Sequence, residues 1–223
     1  APAMIVALEE KAGPYGSMKL IDRIAMLGLY NEIYQISAEP AYLKKAGQIA
    51  STFTIDDKEK WFEPFGAKYM ADLAVALHHY RWLADDEDYG TLAKWLTERL
   101  IISLSQGFTG SDIYYVAQAY QIVHSECIHL GVVAKSDDPV AQEMLKAALS
   151  GWDPRKIAQL LEPERDKDLI ERKFYAVMDK PVAYTCIDDM CYPPVYTSDD
   201  MKKQMSEVVT DLATESDQEK DEN

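Results

Sequence analysis

Residues 18–53, MKLIDRIAMLGLYNEIYQISAEPAYLKKAGQIASTF, decide the fold class of this chain. Residues 18–36 are dense in apolar side chains with few polar interruptions, a pattern typical of a largely buried helix. Ser37 then offers a capping side chain, and Pro40 presets the backbone of a first helical turn. A second helix is therefore predicted over residues 40–53, and the two segments together predict a helical hairpin.

A second stretch of sequence repeats this layout. Residues 66–83 predict another apolar helix, an acidic turn follows at residues 85–88, and residues 89–104 predict the return helix. Aligning Tyr42 with Tyr89 gives a shift of 47 residues, which is near the period of stacked helix-pair repeats. We expect two units of one repeat. The side chains predicted to point inward in the first unit are Ala46, Ile49, Ala50 and Phe53, and the apolar residues of the second apolar helix include Met70, Leu73, Ala74, Leu77, Trp82 and Leu83. The same alignment places Leu27 on Ala74, Tyr30 on Leu77 and Ile36 on Leu83.

The periodicity changes after Gly107. Residues 111–123 predict one more helix, and residues 127–134 and 157–161 are short apolar runs of strand type. The Asp138-Pro139 pair predicts the start of a helix between them. This β-α-β order indicates a small parallel sheet with a crossover helix. Residues 182–186 and 194–197 are predicted as additional edge strands.

The chain ends in an acidic tail. Its last 26 residues contain nine acidic and three basic side chains. Such a segment buries too little apolar area to offset its ordering entropy, so alone it is expected to be disordered beyond one short helix at residues 201–212. The predicted organisation is a mainly α chain with a helical-hairpin region at 1–125, a small β-α-β unit with a C-x4-C segment at 126–198, and the acidic tail at 199–223.

Composition narrows the classes of partner. The 223 residues are 48% hydrophobic, as a packed core requires, and carry a formal net charge of −15. That charge repels phosphate backbones and anionic lipid, so nucleic acid is not an expected partner. No apolar run reaches the roughly 18 to 20 residues of a membrane span, although peripheral association stays open. Three cysteines do not decide between a cytoplasmic and a periplasmic or other extracytoplasmic location.

Cys186 and Cys191 are the most specific chemical feature. Two cysteines five positions apart around a turn lie within reach of a disulfide, but the spacing is too long for a thioredoxin-type C-x-x-C site. A structural disulfide, a pair of free thiols, and a redox or metal role all remain open. No second cysteine pair completes a four-ligand zinc site.

Other constellations are less specific. His78 and His79 lie about 100° apart on one predicted helix, and the spacing of His124 and His129 around Cys127 matches no zinc pattern, so structural roles are favoured. The chain lacks G-x-S-x-G, a phosphate-binding Gly-rich loop and H-E-x-x-H. No catalytic, cofactor-binding or metal-ligating residue is therefore assigned. An alternative is a sugar cleft formed by aromatic residues beside the carboxylates of the acidic turn, with Trp61, Tyr69, Trp82 and Tyr114 as candidates.

A family resemblance appears in the last third of the chain. The order CIHLGVVAKSDDPVAQEMLKAAL, RKIAQLLEPE and KPVAYTCIDDMCYPPVYTSDDM resembles the C-terminal end of the YyaL-like family, thioredoxin-domain proteins with an α/α toroid, whose animal member is the spermatogenesis-associated thioredoxin-like protein. That family ends in P-x-A-Y-x-C-x-x-x-x-C-x-x-P-V-T. Tyr196 interrupts this pattern before Thr197, and the matching residues are Pro181, Ala183, Tyr184, Cys186, Cys191, Pro194 and Val195.

The resemblance extends to the hairpins and covers most of residues 18–201. It implies a partial α/α toroid, because a complete one has six hairpins and this sequence supplies about two, without a thioredoxin-like domain. The expected function is a non-catalytic interaction or scaffold subunit that docks on a larger protein assembly. The alternative is a carbohydrate-active or redox enzyme fragment of such a protein.

Overall fold

A computed structural model gives the architecture. It describes the main chain of residues 15, 18–56, 58, 66–104, 110–151, 153–188 and 190–221, and side chains as far as residue 210. The chain divides into two compact units, Ala1–Ser125 and Glu126–Asn223. No helix among these residues has both the length and the apolar character needed to cross a bilayer. The predicted fold class, mainly α with a small α/β unit, is confirmed.

The first unit consists of helical hairpins. Its helices are α1 (Leu20–Ser37), α2 (Pro40–Ala50), α3 (Ala67–Ala84), α4 (Glu87–Leu104) and α5 (Gly110–His124). Helix α1 ends at Ala38, which adopts a left-handed φ of 55° and donates its N–H to Tyr34 O. Pro40 then begins α2, as predicted. Asp85 ends α3 with the same left-handed geometry, at a φ of 58°.

One apolar core joins these helices. Every side chain predicted to point inward in the first repeat is buried, and so are Met70, Leu73, Ala74, Leu77, Trp82 and Leu83 of the second. Tyr30 and Leu77, the aligned repeat positions, are both fully buried, whereas Ile36 is 65% exposed and its counterpart Leu83 is fully buried. Asn31 adds a buried hydrogen bond between two helices. Its Nδ2 donates to Ala76 O at 2.8 Å and so links α1 to α3.

The second unit is a small mixed sheet with helices. Its elements are β1 (Ile128–Val133), α6 (Pro139–Leu149), β2 (Lys156–Leu161), α7 (Lys167–Arg172), β3 (Val182–Ile187), β4 (Met190–Cys191) and α8 (Ser198–Asp221). The strand order is β2-β1-β3-β4. Strands β1 and β2 are parallel, which confirms the predicted β-α-β crossover, and β3 runs antiparallel to β1. Asp138 caps α6 by accepting hydrogen bonds from the Val140 and Ala141 amides.

The two faces of the sheet have different neighbours. Cross-strand partners share a face, so Val133, Leu161 and Val182 lie together. They form one apolar cluster with Leu169 and Ile170 of α7 and with Tyr175, Tyr184 and Cys186. Helices α6 and α8 pack against each other and against the sheet, and they bury the opposite face.

Two predictions for the C-terminal region are corrected. Residues 194–197 form no strand; Val195 makes only an isolated bridge to Ala183, because Pro193 and Pro194 have no N–H to donate to a ladder. Helix α8 is also longer than the predicted 201–212. Its start is anchored by the fully buried Met201 and Val208, which lie on one stripe of the helix.

Candidate functional site

The Cys186 and Cys191 side chains form a disulfide between β3 and β4. The two residues are direct cross-strand partners in this hairpin. Their surroundings differ: Cys186 is 3% exposed within the apolar cluster, whereas Cys191 is exposed on the outer strand. Asp188 holds the turn between them, because its Oδ1 accepts a hydrogen bond from the Cys127 amide at 2.9 Å. The bond therefore joins a buried residue to an exposed one.

A buried chain of polar groups lies beside Cys186. His129 Nε2 is 3.2 Å from Gln159 Oε1, and His129 Nδ1 is 2.7 Å from the Tyr175 hydroxyl. The carbonyl oxygen of Gln159 can only accept, so Nε2 carries the hydrogen and Nδ1 accepts from the Tyr175 O–H. Tyr175 Oη in turn lies 3.5 Å from Cys186 Sγ. The chain Gln159, His129, Tyr175, Cys186 thus ends at the disulfide.

Burial keeps His129 neutral within this chain. The ring is 2% exposed, and the loss of hydration holds its pKa well below the usual 6.5, with a smaller contribution in the same direction from Lys173. The hydrogen bond to Gln159 opposes this shift. A neutral ring leaves Nδ1 available as an acceptor for Tyr175 at physiological pH.

Tyr175 is positioned by two close contacts. Its ring stacks on Tyr184 with centroids 4.5 Å apart. It also lies over Gly131 of β1, where a Cβ atom would come within 2.5 Å of Tyr175 Cε2. Only a glycine at this strand position leaves room for the ring. Neither Tyr175 nor Gly131 had a predicted role, although a glycine within an apolar strand is itself a signal of close approach.

The loop after α7 presents an exposed aromatic side chain. The Phe174 N–H donates to Glu171 O at 3.1 Å and the Tyr175 N–H donates to Ile170 O at 3.0 Å, the two bonds of a Schellman motif. Phe174 occupies the left-handed position of that motif, with a φ of 55°. Glycine normally fills this position because a side chain is strained there. The Phe174 side chain is nevertheless 94% exposed.

Tyr184 and Tyr175 fix the backbone of this loop. The Tyr184 hydroxyl accepts from the Ala176 N–H at 3.1 Å and donates to Ala176 O at 2.8 Å. Tyr175, which is 7% exposed, fixes the preceding residue in the apolar cluster. Val177 and Met178 follow, with exposed fractions of 53% and 43%. We call Phe174, Val177 and Met178 the exposed apolar loop.

The residues of the sugar-cleft alternative do not form one cleft. Trp61 lies outside the described residues. Tyr69 and Trp82 are thirteen positions apart on α3, which separates them by about 20 Å along the helix axis. Lys68 Nζ lies over the rings of both Tyr69 and Tyr115, whereas Trp82 is buried beside His78. Tyr114 is 63% exposed on α5.

The acidic residues 85–88 lie at the turn where α4 begins. Asp86 and Asp88, together with Asp56, line a cleft of about 360 Å³. Asp86 Oδ1 accepts a hydrogen bond from the Asp88 amide, and Glu87 pairs with Arg81 at 2.5 Å. These contacts shape the turn into α4. Among the described residues, no group of three or more histidine, cysteine or acidic side chains is arranged to hold a metal ion.

His124 and His78 lie in the helical unit. His124 Nε2 lies 2.9 Å from Thr97 Oγ1, and its ring stacks on Tyr120. His78 is buried in the helical unit, and its Nε2 has no hydrogen-bond partner. Burial lowers the pKa of His78 to about 3, and the nearby His79 and Arg81 act in the same direction.

His78 predicts an acid-sensitive helical unit. Since its pKa is about 3 when folded and about 6.5 when unfolded, the unfolded chain takes up a proton first as the pH falls. Stability is then complete above pH 6.5 and declines between pH 6.5 and 3. When the pH is lowered from 7 to 5, the unfolding free energy of the wild type should fall by about 2 kcal/mol more than that of His78→Leu. Urea titrations at both pH values test this, and parallel losses in the two proteins would contradict it.

Comparison with known proteins adds no relative. No family model matches the chain, and neither the curated proteins nor the solved structures include a significant match.

Proposed function

We propose that this chain is a non-catalytic interaction subunit that docks on a larger protein assembly through the exposed apolar loop. The observation that carries the proposal is Phe174, an aromatic residue 94% exposed at a left-handed φ of 55°. A bulky side chain at such a position costs roughly 1–3 kcal/mol in backbone strain. The exposed ring regains none of this by burial within the described chain, so its contribution is expected on binding.

The geometry of the loop suits a binding anchor. Interface hot spots are enriched in large side chains that enter a pocket on the partner. The Tyr184 hydroxyl holds both backbone groups of Ala176, so little conformational entropy is lost when the loop binds. Val177 and Met178 supply further apolar area beside the ring.

The expected partner is a protein of net positive charge with an apolar pocket that accepts one aromatic ring. The chain carries a formal net charge of −15, which steers encounters toward a partner of opposite sign. Burial of Phe174 then supplies the affinity. The helical unit also exposes the apolar side chains of Ile101, Ile102, Ile113 and Tyr114.

We also propose, from the sequence resemblance, that the chain corresponds to the C-terminal part of a YyaL-like toroid protein. The hairpins, the Asp-Pro helix between parallel strands and the C-x4-C hairpin support this assignment. The carbohydrate-active alternative is less well supported, because Tyr69 and Trp82 are too far apart to line one sugar site.

Phe174→Gly separates binding from stability. Glycine relieves the left-handed strain, so we expect the α/β unit to gain about 1 kcal/mol in unfolding free energy. Removal of the anchor is expected to weaken binding to the partner roughly 30-fold. The chain is first fractionated by size in a native extract, and the co-eluting protein is identified by mass spectrometry and purified. Calorimetric titration of the two purified proteins gives the affinity, and urea titration gives the stability.

Val140→Ala is the matched control. Val140 is an apolar side chain of the same unit, 44% exposed and outside the loop, so its truncation is expected to leave the affinity unchanged. The proposal fails if the wild-type chain elutes at its single-chain mass. It also fails if the chain associates only with itself, or if Phe174→Gly binds the purified partner as tightly as the wild type does.

A further inference from the structure

We propose that Cys186 and Cys191 form a reversible redox pair that exchanges with a dithiol, and that Tyr175, His129 and Gln159 stabilise the reduced Cys186. The proposal does not depend on the docking function of Phe174. It rests on the position of the disulfide, which joins the buried residue Cys186 to the exposed residue Cys191, and on the polar chain that ends at Cys186.

The disulfide is poorly placed for a purely structural role. It joins residues five positions apart, whose hairpin is already closed by the pairing of β3 with β4. A bond that closes so short a loop removes little entropy from the unfolded chain. Cys191 also lies on β4, the last strand of the sheet, where a thiolate can approach it from solvent.

The difference in exposure between Cys186 and Cys191 sets the direction of exchange. A thiolate of the dithiol attacks Cys191 Sγ, the Cys186–Cys191 bond breaks, and its electron pair leaves on Cys186. Cys186 takes up one of the two protons that the dithiol gives up. The second thiol of the reductant then displaces Cys191 from the mixed disulfide, and Cys191 takes the other proton. The reductant is thereby oxidised to its own disulfide, and the protein pair gains two electrons and two protons.

Reduction gives the buried chain one more hydrogen-bond donor. A disulfide sulfur carries no hydrogen, so Cys186 donates nothing to Tyr175 Oη, 3.5 Å away. A Cys186 thiol can donate to that oxygen, while the Tyr175 O–H donates to His129 Nδ1 and His129 Nε2–H donates to Gln159 Oε1. Cys186, Tyr175 and His129 then donate in one direction, and Gln159 Oε1 accepts the last hydrogen. Each bond polarises the next, so reduction adds a favourable bond to an existing network.

The contribution of Tyr175 is tested by measuring the equilibrium constant for reduction of the cysteine pair. The full-length protein is equilibrated in buffers of reduced and oxidised dithiothreitol, and free thiols are alkylated and located by peptide mass, which separates Cys127 from the pair. We expect the pair to be reduced with the far-UV spectrum unchanged. Tyr175→Phe should lower the equilibrium constant for reduction roughly fivefold, because it removes one buried hydrogen bond present only in the dithiol form. Tyr196→Phe, which removes a phenol hydroxyl from a residue packed on the same cluster, should match the wild type.

A second measurement uses the wild-type protein alone. Brief reaction with reduced glutathione followed by acid quenching should trap glutathione on Cys191 and leave Cys186 free. A pair that stays oxidised in dithiothreitol until the α/β unit unfolds would overturn the proposal. So would glutathione trapped on Cys186, or an equilibrium constant in folded Tyr175→Phe equal to that of the wild type.

Discussion

Gly131→Val is expected to destabilise the α/β unit by about 3 kcal/mol, because it overpacks the space beneath Tyr175. A single Cβ atom at Gly131 would lie 2.5 Å from Tyr175 Cε2 and 3.0 Å from Cζ, and valine adds two further methyl groups. Gly131 lies on β1, which is paired on both sides, so the backbone cannot move away freely. The ring of Tyr175 must therefore leave its stack on Tyr184.

Two measurements follow the displaced ring. Urea titration gives the loss of unfolding free energy, and the near-UV circular dichroism reports the Tyr175–Tyr184 stack. Gly131→Ala should produce a smaller loss of about 1–2 kcal/mol. Gly110→Ala is the control, because nothing lies within 4 Å of the added carbon. Wild-type stability and an unchanged near-UV spectrum in Gly131→Val would contradict this account of the packing.

Leu77→Ala is expected to destabilise the helical unit by about 3 kcal/mol. Leu77 is fully buried on α3, whose neighbours α1, α4 and α5 all pack against it. A cavity at a fully buried position of a packed helix collapses only in part, so the lost contacts are only partly regained. Tyr30, the aligned position in the first repeat, is also fully buried, and its truncation should have an effect of similar size.

Ile36→Ala provides the control for this core. Ile36 aligns with Leu83 in the repeat but is 65% exposed, so its truncation should cost less than about 0.5 kcal/mol. Denaturant titration of the three variants tests whether the repeat alignment or the observed burial predicts stability. Equal losses for Leu77→Ala and Ile36→Ala would contradict the structure of the core.

Local sequence patterns predicted most of the helices and strands. The apolar spacing of the hairpin segments, Pro40 at the start of α2 and Asp138 at the start of α6 are signals that act within a few residues. For that reason their elements were predictable. The strand predicted at residues 194–197 was wrong. These residues include strand-forming side chains, but the prolines before Val195 prevent a ladder of backbone hydrogen bonds.

The candidate site was less accessible to sequence reasoning. The two cysteines were identified by their spacing, but their different exposure depends on β4 being the last strand of the sheet. Phe174 gave no signal, because a left-handed backbone position is usually recognised by glycine. For His129 a structural role was favoured over metal binding, and its partner Tyr175, which lies 46 residues further along the chain, was not predicted.

The sequence by itself determined the helical hairpins, the parallel β-α-β unit and the acidic character of the chain, because periodicity, capping and charge are properties of neighbouring residues. Only the tertiary structure decided which groups meet. Strand register places His129 opposite Cys186, Gly131 leaves room for Tyr175, and the end of α7 exposes Phe174. These contacts join distant parts of the chain, and their geometry follows from packing that no local pattern specifies.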